Sequence, residues 1–210
     1  MAAHVVSHVS RPRRRDATAN REALLRAAQS TLASDPHASL DAIAHAAGLS
    51  RRALYGHFAD RESLLREVIE IGAGRFNAIA ERRDDADPRV ALAHMAARLW
   101  SEAASVRASA NIALDDTHVS ETVVALAPLR RRVRELANEG IVSGAFRNDL
   151  TPELLALLIE ETARATLRDL RMASEGSAAT IVRVVLSMAG LSWREQADLL
   201  ADHPEILTVL

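Results

Sequence analysis

The sequence predicts an all-α fold, with an N-terminal three-helix domain followed by a larger C-terminal helical domain. Apolar residues return at i, i+3 and i+4 along most of the chain. Of 210 residues, 49% are hydrophobic but only 3% aromatic, which points to helices packed through Ala, Leu and Val. The stretch 39–58, SLDAIAHAAGLSRRALYGHF, places two short apolar-faced runs around a glycine, the pattern of a helix-turn-helix.

Residues 1–16 read as a flexible basic arm. Arg11, Arg13, Arg14 and Arg15, interrupted by Pro12, precede the first helix and suit phosphate or minor-groove contact, or else a solubilising tail. The first helix is predicted over 17–33, capped by Asp16 or Thr18, with Leu24, Leu25, Ala28 and Leu32 inward. After a loop with Asp35 and Pro36, Ser39 caps a short helix whose apolar face is Leu40, Ile43, Ala44 and Ala47. Gly48 provides the residue most tolerant of a left-handed turn, Leu49 plugs the corner, and Ser50 caps a second helix running from Arg51 through Phe58. In such a unit the second helix enters the major groove, leading with its N-terminal residues.

The charges sharpen this reading. Arg51 and Arg52 fall in a first helical turn, where the macrodipole disfavours cations by roughly 0.3–1 kcal/mol each. Arg61 repeats the pattern behind Asp60, the predicted N-cap of the next helix. A phosphate or a guanine edge at those helix ends would account for all three, although solvated surface arginines are the plainer account of any one of them. Residues 1–66 hold ten Arg against six acids, and the remainder sixteen against twenty-two, so a near-neutral chain carries a local basic footprint.

The helix after Asp60 continues through Leu64, Leu65, Val68, Ile69, Gly72, Phe76 and Ile79, long enough to leave the first domain as a mechanical link. The polar stretch 81–88, ERRDDADP, marks the boundary, and 89–107 resumes a helix with Leu92, Met95, Ala96, Leu99 and Trp100. A helix is predicted over 119–139, interrupted or kinked at Pro128, with a solvated charge run of Arg130, Arg131, Arg132 and Arg134, and stopped by Gly140. After a turn at Gly144, Thr151 and Pro152 open a helix burying Leu154, Leu155, Leu158, Ile159, Ala163 and Leu167. The last strong apolar helix is predicted over 178–191, with Ile181, Val182, Val184, Val185, Leu186 and Met188; its apolar breadth suggests a dimer interface.

Several classes are disfavoured. Cysteine is absent, which removes disulfides, thiolate chemistry and Cys-based metal sites. His4 and His8 have i, i+4 spacing but no nearby carboxylate, so no metal site is assigned. No Ser/His/Asp grouping or phosphate-binding glycine loop is visible, so no enzyme and no cofactor is expected. No apolar run approaches the ~20 residues of a membrane span. The amino terminus carries its charges after a short apolar stretch, the reverse of a signal peptide, so a cytoplasmic location is expected.

The run IAHAAGLSRRALYGHFADRESLL, 43–65, closely resembles the DNA-binding domain of TetR-family transcriptional repressors, with Ile-Ala, Ala-Gly-Leu-Ser, Leu-Tyr, His-Phe and Leu-Leu elements in order. REALLRAAQSTLAS looks like that family's first helix, and GIVSGAFRNDLTPELLALLIE is loosely similar to its junction before the dimerisation helices. The resemblance implies a basic arm over 1–16, a DNA-binding domain over 17–66 and an effector-binding and dimerisation domain over 67–210. It implies DNA contacts from Ser39, Ser50, Arg51, Arg52, Tyr55, His57 and Arg61, with Ala53 of the reading helix counted among them. Two positions depart from the family: Ala53, where a small hydroxyl residue is frequent, and Gly56, where a larger side chain is frequent and which would weaken the helix. A homodimer joined through Leu155, Ile159, Leu167, Ile181, Val185 and Met188 is implied, on a roughly palindromic double-stranded operator. So is a small apolar effector, for which His94, Trp100, Asn111 and His118 are candidate pocket residues, although packing or the surface is the plainer account of each taken alone. The expected function is a ligand-responsive bacterial regulator, a repressor; a helical protein-interaction scaffold is the alternative.

Overall fold

The computed structural model describes residues 11–83, 85–105, 119–168 and 178–208, and these are helical without a strand. The chain divides into two compact units between Val68 and Ile69.

Unit 1 contains α1 (Arg11–Ser34), α2 (Leu40–Ala46), α3 (Arg51–Tyr55) and the start of α4 (Arg61–Ala80). α1 spans Arg11–Ser34, so Arg13, Arg14 and Arg15, expected in a flexible arm before the first helix, lie within that helix. Pro12 is compatible with this, because an N-terminal proline loses no intrahelical hydrogen bond. Leu24, Ala28 and Leu32 of α1 are buried, as are Ile43, Leu54, Phe58, Leu64 and Val68, and α1 packs against α2 and α3. Arg21 stacks 4.8 Å from the Phe58 ring centroid and pairs with Glu67.

The corner between α2 and α3 is a Schellman turn. Gly48, at φ +68°, donates its N–H to the His45 carbonyl at 3.0 Å, and Leu49 donates to the Ala44 carbonyl at 2.9 Å. α3 is shorter than expected, ending at Tyr55. The Gly56 N–H is shared between the Arg52 and Ala53 carbonyls at 3.1 and 3.2 Å, and Gly56 keeps a helical φ of −73°. Gly56 therefore terminates α3 and does not weaken its interior. α4 opens as expected on Asp60, whose Oδ1 accepts from the Ser63 N–H at 2.7 Å while Ser63 Oγ accepts from the Asp60 N–H at 3.3 Å.

Unit 2 holds the rest of α4, α5 (Pro88–Ser105), α6 (Val119–Ala125), α7 (Ala127–Val142), α8 (Pro152–Arg168), α9 (Ala178–Met188), α10 (Trp193–Asp202) and a 3-10 turn (Pro204–Thr208). α5 is central, packing against α7, α8, α9 and the 3-10 turn. Leu92, Ala93, Leu136, Leu155, Val182 and Leu186 form the heart of its core.

The kink or interruption expected near Pro128 is a full break: the segment forms two helices, α6 and α7, parted at Leu126, two residues before the proline. Asn77 of α4 satisfies the break: its Nδ2 donates to the Ala125 carbonyl at 2.9 Å and its Oδ1 accepts from the Leu129 N–H at 3.2 Å. Nor is the following arginine run wholly solvated. Arg132 is buried and pairs with Glu139 at 3.0 Å and Glu135 at 3.5 Å, while Arg83 reaches Glu135 at 3.0 Å. Gly140 does not stop α7, which runs on to Val142; it is buried where Phe146 folds back over the helix. The turn itself comes at Gly144, φ +74°.

Thr151 Oγ1 accepts from the Leu154 N–H at 3.3 Å, capping α8 as expected with Pro152 as its first residue. α9 ends at Met188, and α10 lies beyond the last helix expected. Its signal was present in the sequence: Ser192 and Glu195 form a reciprocal capping box.

Candidate nucleic-acid interface and ligand cavity

The helix-turn-helix orients its polar residues through one buried anchor. Leu54 is fully buried, and a five-residue helix with one face fixed inward must turn Arg51, Arg52 and Tyr55 outward, where all three are exposed. Ser39 and Ser50 stand at the N-caps, their hydroxyl oxygens accepting from the Ala42 and Ala53 N–H groups at 3.1 and 3.2 Å. Each hydroxyl keeps a proton it can donate to a phosphate.

Arg51 lies between two partners. Its Nη1 donates to Asp41 Oδ2 at 3.0 Å, and its guanidinium carbon sits 5.5 Å from the Tyr55 ring centroid. Hydrogen bonding with Tyr55, then the Asp41 and Tyr55 charges, hold its pKa above the ordinary arginine value. The ion pair is solvent-exposed on both sides, so it orders Arg51 more than it stabilises the fold. Ala53 and His57 are half-buried beside this surface.

Arg61 has a different occupation from the phosphate contact expected of it. Its Nη1 donates to the Ala38 carbonyl and its Nη2 to the Pro36 carbonyl at 2.7 Å, which pins the loop leading to the Ser39 cap. Arg61→Met is expected to destabilise unit 1 by about 1–2 kcal/mol, the lower part of the range for charge-assisted bonds because the site is partly exposed. Thermal melting followed by circular dichroism checks this. An unchanged melting temperature accompanied by lost DNA affinity would return Arg61 to the list of direct contacts.

Unit 2 contains a cavity of about 170 Å³. Phe76 of α4, Met95, Leu99 and Trp100 of α5, and Ile181 and Val185 of α9 contribute to an apolar wall. Polar side chains enter as Thr122 and as a cluster of Arg130, Glu160 and Arg164. Arg130 Nε pairs with Glu160 Oε2 at 3.0 Å. Burial pushes the Glu160 carboxyl above the ordinary carboxylate range, against the pull of Arg130, Arg134 and Arg164. Outside the cavity, α8 presents Leu154 and Leu157 to solvent, 43% and 44% exposed.

Among the described residues no group of three or more His, Asp or Glu could hold a metal ion, and no helix is long and apolar enough to cross a membrane.

Residues 24–68, which contain the helix-turn-helix, match the family model described as bacterial regulatory proteins, tetR family. Over those residues the chain is similar to the bacterial tetR-family regulators. Solved TetR-type structures extend the likeness to both units. FadR from Bacillus subtilis in complex with stearoyl-CoA superposes with a TM-score of 0.70 at 19% identity, covering 80% of this chain and 97% of that one. RolR in complex with resorcinol gives 0.64 at 17% identity, covering 89% and 95%. A tetR-family regulatory protein from Rhodococcus RHA1 gives 0.68 at 22% identity, covering 82% and 98%. At these identities the likeness is one of fold. No curated protein sequence matches the chain.

Within this TetR fold the helix-turn-helix brings Ser39, Ser50, Arg51, Arg52, Ala53, Tyr55 and His57 onto or beside α2 and α3. Arg13, Arg14 and Arg15 lie in the first turns of α1. Of the candidate pocket residues, Trp100 lines the cavity, and Asn111 and His118 fall outside the described residues. His94 is not in the lining: it is buried elsewhere on α5, and its Nδ1 has no hydrogen-bond partner among the described residues. The residues missed were the apolar lining of α4, α5 and α9 and the Arg130, Glu160 and Arg164 cluster. Their helical periodicity is that of any core position, so no sequence signal separates them from one.

The residues expected at the dimer interface need correction. Leu155, Ile159, Ile181 and Val185 are buried within the subunit, the last three also lining the cavity, and Met188 packs partly buried against the same core. The side chain of Leu167 lies outside the described residues. α8 is apolar on two faces, and α5, α7 and α9 claim the one carrying Leu155 and Ile159, leaving Leu154 and Leu157 outward.

Proposed function

We propose that this protein is a one-component repressor that binds a palindromic operator as a homodimer and releases it when a small, largely apolar ligand enters the unit 2 cavity. The observation that carries this reading is α4. This uninterrupted helix begins with Arg61, which pins the loop before α2, and later lines the cavity with Ile69, Gly72, Ala73 and Phe76. A ligand that prefers one placement of α4 shifts the population of DNA-binding states by its difference in affinity for them. The ligands held by the FadR and RolR structures support a cavity of this kind as an effector site. Arg51, Arg52 and Tyr55, with the serine hydroxyls, supply phosphate and base contacts. The exposed apolar stripe of α8 at Leu154 and Leu157 supplies the partner face for a second copy.

The test is selection of bound fragments from random or genomic DNA, followed by titration of the best site at two salt concentrations. The expected result is an enriched palindrome, its half-sites about one helical turn or a multiple apart, with log affinity falling linearly against log salt. A folded, dimeric protein that enriches no sequence would overturn the reading in favour of a protein-interaction scaffold.

A further inference from the structure

The polar corner of the cavity narrows the ligand's chemistry, on the assumption that the cavity is the effector site proposed above. Arg130 and Glu160 are paired there at 3.0 Å, and both are largely withdrawn from solvent. Arg164 lies one turn along α8 from Glu160 and enters the same lining with its side chain only 20% exposed. Its carboxylate neighbour Glu161 stands 3.7 Å from its Nε, beyond hydrogen-bond range, and is itself mostly in solvent. The corner is therefore net positive beside an otherwise apolar wall.

A neutral hydrocarbon filling this space would strip water from the Arg164 guanidinium without replacing its hydrogen bonds, and a buried charge left that way is costly. An ammonium would meet more positive than negative charge. A carboxylate instead matches the planar donor fork of arginine and can accept two parallel hydrogen bonds. We propose that the effector is an amphiphile with one carboxylate head, held by Arg164 with Arg130 beside it, and an apolar body lying among Met95, Leu99, Trp100 and Val185.

The chain has two tryptophans, Trp100 in the cavity wall and Trp193, exposed on α10. Full-length protein carrying Trp193→Phe thus reports occupancy through Trp100 fluorescence alone. Three series are titrated, each spanning straight-chain and phenyl-substituted bodies: octanoate, dodecanoate and 3-phenylpropanoate, then the matching primary alcohols, then the matching primary amines. Carboxylates are expected to bind about tenfold or more tightly than their alcohols, with amines weakest, the ratio a charge-assisted hydrogen bond supplies. Arg164→Gln, in a protein of unchanged melting temperature, is expected to bring the carboxylates down to the level of the alcohols. Alcohols or amines binding as tightly as the acids, a preference that survives Arg164→Gln, or no binding in any series would each overturn the proposal.

The same ligands added to operator complexes separate this inference from the regulatory reading. Carboxylates that bind yet leave DNA affinity unchanged would keep the ligand class and sink the repressor mechanism. Alcohols that bind equally and release DNA would do the reverse.

Discussion

Replacing Arg51 and Arg52 together with alanine is expected to weaken operator binding by roughly a hundredfold or more while leaving folding and dimerisation intact. A guanidinium on a base edge is worth about 1–3 kcal/mol, so two such contacts amount to roughly 2–6 kcal/mol even without cooperativity. Neither side chain supports the fold. Both are exposed, α3 is anchored by Leu54 and capped by Ser50, and the Arg51–Asp41 pair is solvated on both sides. Alanine is also the better residue for a first turn, because it removes positive charge from the positive end of the helix dipole. The melting temperature should therefore hold or rise slightly. Gel shifts at two salt concentrations divide the loss: a phosphate contact removed lowers the salt slope by about one, whereas a base contact removed relaxes sequence preference. Unchanged affinity in the double variant would sink the assignment of α3 as the reading helix.

In unit 2 a large effect is expected from Gly140→Ala. A Cβ built at Gly140 would fall 2.0 Å from Phe146 Cδ2, far inside van der Waals contact. The ring cannot withdraw easily. Phe146 is buried, its N–H bonds to the Gly140 carbonyl at 3.0 Å, and the Arg147 N–H is held by the Ala189 carbonyl at 2.9 Å. Overpacking of this kind costs about 3 kcal/mol, at the upper end of the usual range. For a unit of this size that corresponds to a fall of roughly 10 °C in melting temperature. Gly74→Ala is the matched control. Gly74 lies within α4, and a Cβ there meets nothing within 4 Å, so alanine should stabilise by about 0.5–1 kcal/mol through helix propensity and a less flexible unfolded chain. Equal and small effects at both glycines would refute the packing of Phe146 on α7.

The helix-turn-helix was readable because its signals are short-range and chemically distinct. Ser39, Gly48, Ser50 and Asp60 each do in the structure what their side chains or their lack of one allow within three or four residues. α10 shows the same legibility passed over, since its Ser192 and Glu195 are a capping box in plain view. Asn77 and Arg61 were beyond such reading. Asn77 bonds to Ala125 and Leu129, and Arg61 to Pro36 and Ala38, across sequence separations that no local pattern records.

Periodicity alone determined that the described residues fold as helices and connecting turns, and local capping and turn chemistry determined where the helix-turn-helix lies. Which of two apolar faces on α8 turns inward was a tertiary decision. So were the burial of Arg132 and the gathering of Arg130, Glu160 and Arg164 at one cavity. A helical sequence states that a residue belongs to an apolar or a charged stripe. The neighbour that stripe meets is set by the summed packing of helices distant in the chain, and there one residue of rotation exchanges Leu154 for Leu155 between solvent and core.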